Sequence, residues 1–303
     1  MSTAPESTVE TSVVSDSRTR LDPMNGPLGE IVKKFQKSRA DKVAVVRLDG
    51  VIGHVGAGRG MTIDSVEPML KRAFETEHVK AVVVVINSPG GSPAQSEYIA
   101  ERIRQLSSEK GVPVLAFCED IAASGGYWIA CAADEIFAAH TSLVGSIGVV
   151  SSGFGFNEVL DRLGVQRRLY TAGDNKARLD AFSPENADDV EWLKGMQSEL
   201  HQAFIAWVKQ RRGKKLAGTD EELFNGDIWI GAKARDVGLV DGIGVMRSVV
   251  AERYPDVEIT VISAPKPILA RLLNGPSGAA ALTDAVVSGV LSAVEKTQRI
   301  DFR

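Results

Sequence analysis

With 303 residues, the chain is long enough for one large α/β unit. Hydrophobic residues make up 44% and charged residues 24%, a globular balance that can bury a sizeable core. The formal net charge of -4 and a pI of about 5.7 exclude a global basic field for holding nucleic acid. No apolar run reaches the roughly 18–20 residues needed to span a bilayer, and the nearest, 277–294, is interrupted by Asp284.

Residues 1–26 are rich in Ser, Thr, Glu and Pro, lack the apolar stretch of a signal peptide, and read as a disordered tail. Leu28, Ile31, Val32 and Phe35 then recur at helical spacing among Lys33, Lys34 and Lys37, a short amphipathic helix that docks on the core or touches a membrane surface. A regular alternation follows. Strands are predicted at 42–53, 79–87, 113–119 and 134–139, with helices at 64–76, 94–111 and 123–133 between them. The run VKAVVVVIN is continuously apolar, as in a strand covered on both faces. Strand–helix–strand alternation is the pattern of parallel βαβ units.

The second half is less regular. Residues 166–173 read as a strand, and 184–212 as a long helix with Ser183 as N-cap and Pro184 at its start. Its basic end, WVKQRRGKK, reads as a solvated helix terminus. Residues 256–265 read as a late strand. Leu282, Val286, Val290 and Val294 mark a C-terminal amphipathic helix. Cys118 and Cys131, both in apolar contexts, read as buried thiols and offer no metal-ligand spacing.

Three segments carry candidate chemistry. Ile86-Asn87-Ser88-Pro89-Gly90-Gly91 follows the most apolar strand, where open α/β sheets place ligands; its glycines either offer amides to an oxyanion or make a plain turn. Ala123-Ser124-Gly125-Gly126 opens a helix, so Ser124 is either an N-cap or a nucleophile with room around it. Lys176 sits in a loop after the 166–173 segment. It is either an exposed lysine or a base, a role that requires desolvation. Of the histidines, His54, His78, His140 and His201, none lies in a polar, glycine-rich context suited to a triad, and His140 is the best of them.

Five segments in one order, INSPGGS (86–92), EDIAASGGYWIA (119–130), GSIGV (145–149), AGDNKARLDAFSP (172–184) and NGDIWIGAKARDVGLVDGIG (225–244), resemble the S49 peptidase family of signal peptide peptidase and SohB-like proteins. The resemblance implies a Clp-protease/crotonase-like α/β superhelix of ββα units. It runs from about Lys42 to Gly244, and the chain as a whole reads as a tail at 1–26, a peptidase domain at 27–264 and a helical extension at 265–303. It implies Ser124 as nucleophile, Lys176 as general base, the amides of Gly91 and Gly125 as oxyanion hole, and Ser146 as the residue that orients the lysine. It further implies an apolar peptide substrate, assembly as a homo-oligomer and no metal or cofactor. The family's familiar members carry an N-terminal anchor that is not read here, so the expected location is cytoplasmic or peripheral to the membrane. Two other readings stay open: a non-catalytic scaffold of the same fold, and a crotonase-type acyl-CoA enzyme, for which Glu119 and Asp120 are the nearby carboxylates.

Overall fold

The structure is a computed structural model that describes residues 40–54 and 60–263. The 1–26 tail and the helices predicted near 28–35 and 282–294 lie outside the described residues. In chain order the described elements begin β1 (Lys42–Asp49), α1 (Ile63–Phe74), β2 (Val79–Ser88), α2 (Pro93–Lys110), β3 (Val114–Ala123), α3 (Gly125–Ala130), β4 (Glu135–Ala138) and β5 (Leu143–Gly145). They continue with α4 (Asn157–Leu163), α5 (Ala187–Arg212), α6 (Asp220–Leu223), β6 (Ile228–Ile230), α7 (Gly231–Asp236), β7 (Gly242–Ile243), α8 (Met246–Arg253) and β8 (Glu258–Ile262).

One sheet runs β6-β5-β3-β2-β1-β8, with β4 on β3 and β7 on β4. Every pairing is parallel except β5 with β6. β2 sits at the centre, and its valines alternate between two layers. Val82, Val84 and Ile86 face the larger core with Leu70 and Phe74 of α1 and Ile99 and Ile103 of α2. Ala81, Val83 and Val85 face a smaller core with Leu115, Phe117 and Val250. Burial on both faces explains a strand with no polar alternation.

The strands turn a corner at their carboxyl ends. Leu115–Cys118 of β3 pair with β4, whereas Ile121–Ala123 pair with β5. The β2–β3 register shifts between Ile86 and Ser88, and beyond β1 Ile52 bridges both Met61 and Gly91. The β5 pairing of the end of β3 and the two Ile52 bridges form a second, shorter set of pairings beside the main strands, within the α/β fold expected. The helix ends follow the sequence: Thr62 and Ser65 form a capping box on α1, Pro93 follows the Ser92 cap of α2, and Gly111 closes α2 at φ 63.

Three elements differ from their prediction. β3 continues to Ala123, because its last residues find a second partner in β5. Residues 166–173 form no strand; nothing pairs with them and all are exposed. The long helix begins at Ala187, with the Asn186 side chain accepting from the Asp188 N–H, and Ser183 instead donates its hydroxyl to Asp180 at 2.8 Å. The basic helix end is also less solvated than expected. Arg212 is only 3% exposed and pairs with Asp241 at 2.7 Å.

Candidate active site

Three strand ends meet at Ser124. β3 delivers it, β2 delivers the Ser88-Pro89-Gly90-Gly91 loop, and β5 delivers Gly145 and Ser146. Ser124 is half-buried, with φ 52 and ψ -122, backbone angles that L residues rarely adopt. An N-cap serine takes an extended backbone and accepts an amide hydrogen bond with its hydroxyl. Ser124 does neither, so the capping reading does not describe it. Its N–H donates to the Gly145 carbonyl at 2.8 Å, and its carbonyl accepts from Trp128 at 3.0 Å.

The glycine loop lies directly against this turn. Gly90 has φ 102, and a β-carbon there would sit 2.8 Å from both the Gly125 nitrogen and Ser124 Cβ. Gly91 has φ 146, and a β-carbon there would run into the Ile52 carbonyl. Only glycine fits either position. A β-carbon on Gly125 would lie 3.4 Å from the Gly91 nitrogen, so the two expected oxyanion donors are neighbours. Neither N–H has an intramolecular acceptor among the described residues. Ser146, at φ 53, donates its N–H to the Asp227 carbonyl at 2.7 Å, one residue beyond the carbonyl that holds Ser124.

Lys176 stands apart. It lies in an exposed turn, its N–H donates to the Gly173 carbonyl at 3.2 Å, and its ammonium has no hydrogen bond or ion pair among the described residues. Among the described residues no hydrogen bond joins it to Ser124. The whole segment around it is unburied: from Gly148 to Ala203 no residue is buried, and Val150, Phe154, Leu163 and Tyr170 are among the most exposed apolar side chains.

The carboxylates weighed for acyl-CoA chemistry are engaged. Arg47 holds Glu119 through two hydrogen bonds of 2.5 and 2.9 Å, and Asn87 donates to Asp120 at 3.0 Å. Cys118 and Cys131 are free and buried, as expected, and burial pushes each thiol up to about 12. Among the described residues, no group of three or more His, Cys, Asp or Glu is placed to hold a metal ion.

Some contacts at the site carried no sequence signal. The His201 Nε2 lies 3.0 Å from the Ile147 carbonyl, which needs an N–H donor, so α5 pins the segment after Ser146. α5 also packs on α3. Trp128 contacts Phe204 at 4.9 Å between ring centroids, Trp207 donates its indole N–H to the Trp128 carbonyl at 3.0 Å, and Arg211 caps the Cys131 carbonyl at 2.8 Å.

A model of peptidase family S49 matches residues 107–260, just over half the chain, a span that holds Ser124, Ser146 and Lys176. The chain belongs to peptidase family S49. It is 46% identical over 253 residues to a Brucella abortus protein named Na(+)/H(+) antiporter NhaA, covering 82% of this chain and 34% of that protein. It is 31% identical over 234 residues to protease 4 of Haemophilus influenzae, covering 76% of this chain and 37% of that protein. It is 26% identical over 277 residues to the chloroplastic serine protease SPPA of Arabidopsis thaliana, covering 87% and 40%. The chain therefore spans about a third to two-fifths of these relatives' lengths. A solved membrane-bound stomatin-specific protease, 1510-N, in complex with a substrate peptide, is similar at a TM-score of 0.48 and 16% identity, over 75% of this chain and 94% of that one. Among the described residues no helix is long and apolar enough to cross a membrane.

Proposed function

We propose that the protein is a serine endopeptidase working through a Ser124–Lys176 dyad on apolar peptides such as signal-peptide remnants. One observation carries this reading: Ser124 is held at φ 52 with no capping bond, beside two glycine amides that have no acceptor among the described residues. Local strain persists where the surrounding structure enforces it, and such strain clusters at active sites. Membership of family S49 supports the same chemistry.

The reaction is acyl transfer. Lys176 Nζ takes the proton of Ser124 Oγ as Oγ bonds to the scissile carbonyl carbon. The carbonyl oxygen becomes an oxyanion that accepts from the Gly91 and Gly125 N–H groups. As the C–N bond breaks, the leaving nitrogen takes the proton back from Lys176. Water then loses a proton to Lys176 and attacks the acyl carbon, and Ser124 recovers its proton on release of the acid. Ser146 orients the lysine.

Lys176 works as a base only when desolvated. The unburied 148–203 segment and its exposed apolar side chains favour assembly of several copies, with Lys176 of one copy meeting Ser124 of the next. The acyl-CoA reading has less support, because Glu119 and Asp120 are both engaged by neighbours.

The test is cleavage of a panel of fluorogenic apolar peptides by the parent, Ser124→Ala and Lys176→Ala. Each variant should be inactive alone. An equimolar mixture should regain about a quarter of the parent activity, the statistical share in a ring whose sites each combine two subunits. A folded parent with no activity, or activity retained in either variant, overturns the dyad. A mixture that stays inactive overturns its sharing between copies.

A further inference from the structure

The Gly90–Gly91 segment is held from both sides, by Ile52 and by Ser88. Its carbonyl, that of Gly90, accepts from the Ile52 N–H at 2.8 Å. The Gly90 N–H donates to the Ser88 hydroxyl at 3.2 Å, and Ser88 is fully buried. In a trans peptide the carbonyl and the following N–H point in opposite directions. Fixing the Gly90 carbonyl on Ile52 therefore turns the Gly91 N–H away from Ile52. Engaging the Gly90 N–H on Ser88 removes the competing donor of the same loop. Ile52 also reaches the second donor, because its Cδ1 lies 3.2 Å from where a Gly125 β-carbon would be. The Ser92 N–H donates to the Ile52 carbonyl at 2.9 Å, completing a two-bond clamp on either side of Gly91.

We infer that Ser88 and Ile52 are positioning residues of the oxyanion hole, selecting Gly91 over Gly90 as the amide that meets the developing charge. This rests on the serine-peptidase reading above. Without the Ser88 hydroxyl, the Gly90 N–H loses its buried acceptor and the loop is free to rotate toward another. The Gly91 donor then drifts from its working position, and displacement on the scale of an ångström costs up to about a hundredfold in rate. Substrate binding, which uses the rest of the cleft, does not change. The expected signature is loss in kcat with KM preserved.

The experiment compares the full-length parent with Ser88→Ala, Ser88→Thr and Ile52→Val. Two inhibitors share one apolar peptide sequence. One is an aldehyde, to which the Ser124 hydroxyl adds so that the former carbonyl oxygen enters the hole; the other is the free carboxylic acid product. In Ser88→Ala the aldehyde should bind about tenfold or more weakly and kcat should fall by a similar factor. The acid and KM should shift less than about twofold. Ser88→Thr, which keeps the hydroxyl, should recover most of the loss. Ile52→Val keeps the N–H and removes the Cδ1 that lies against Gly125 and the surrounding core, so it should show the same selectivity at a few-fold scale. Equal weakening of both inhibitors in Ser88→Ala and Ile52→Val marks a general packing role and overturns the inference. So does an unchanged aldehyde affinity in a parent that the aldehyde inhibits. A folded parent that the aldehyde does not inhibit overturns the peptidase reading itself, and this inference with it.

Discussion

The amide of Ser124 donates to the carbonyl of Gly145 at 2.8 Å, tying the candidate nucleophile just after β3 to the end of β5. That bond, the Trp128 N–H on the Ser124 carbonyl and the contact with Gly90 together hold a non-glycine residue at φ 52. Such a conformation costs of order 1–3 kcal/mol, and glycine escapes the cost. Ser124→Gly should therefore be more stable than Ser124→Ala by about 1 kcal/mol, although both lose the proposed nucleophile. Urea unfolding midpoints of the two variants decide this, and equal midpoints would mean that the turn is not strained in solution.

Gly125, the second glycine proposed for the oxyanion hole, is confined from another side. A β-carbon on Gly125 would collide with Ser96 Oγ, which is buried and donates to the Ser92 carbonyl at 2.9 Å. Gly125→Ala should lower kcat by about 10²-fold, the scale of a lost oxyanion donor. Because the closest obstacle is one side-chain atom, with Ile52 Cδ1 next at 3.2 Å, adding Ser96→Ala should restore part of the rate. The coupling is read from a double-mutant cycle. Strict additivity would place the damage elsewhere than in this contact.

The parts of this site that were legible in the sequence are those set by backbone chemistry. INSPGGS after a β-branched run and ASGG before an apolar one require tight loops at strand ends, and both loops are there. The end of β3 was hidden because Glu119 and Asp120 interrupt the apolar pattern, while the pairing of Ile121–Ala123 with β5 is supplied by residues 22 positions away. The 166–173 segment has strand-like composition but no neighbour to pair with, and propensity alone does not make a strand. His201 and Ile52 were invisible as site residues, because their roles depend on which backbone groups the fold presents to them.

Arg212 and Asp241 form the least solvated ion pair of the protein's described part, at 2.7 Å, and Asp241 also accepts from the Ile136 N–H and from Lys215. Burial alone would raise the Asp241 carboxyl; the hydrogen bonds from Arg212, Lys215 and Ile136 outweigh it and hold the group below the usual carboxylate value. Asp241→Ala leaves the Arg212 charge buried without its counter-ion, and should destabilise by about 3–5 kcal/mol. The parent should keep this contribution above about pH 4, where the unfolded carboxyl is ionised, and lose it as pH falls through the lower folded value. Urea unfolding at pH 7 and across pH 2–5 tests both statements. A loss below about 1 kcal/mol in Asp241→Ala would mean that water replaces the carboxylate.

The buried thiols predict the opposite end of the pH range. Cys118 and Cys131 are pushed up to about 12 by burial, whereas an exposed thiol titrates near 8.5. The folded state therefore keeps protons that the unfolded state releases. Their contribution to stability is intact below about pH 8.5 and declines as pH rises toward the folded value, by up to about 1.4 kcal/mol per pH unit for each thiol. Cys118→Ala and Cys131→Ala remove one titrating thiol each, at the cost of a small cavity. Each variant should be less stable than the parent at pH 7 and lose stability less steeply between pH 8.5 and 11. In the native parent both thiols should resist a thiol reagent at pH 8 until the protein unfolds. Rapid labelling of either cysteine under native conditions would show that α3 and β3 open locally on the timescale of the assay, and the alkaline slope would then report that opening instead of global unfolding.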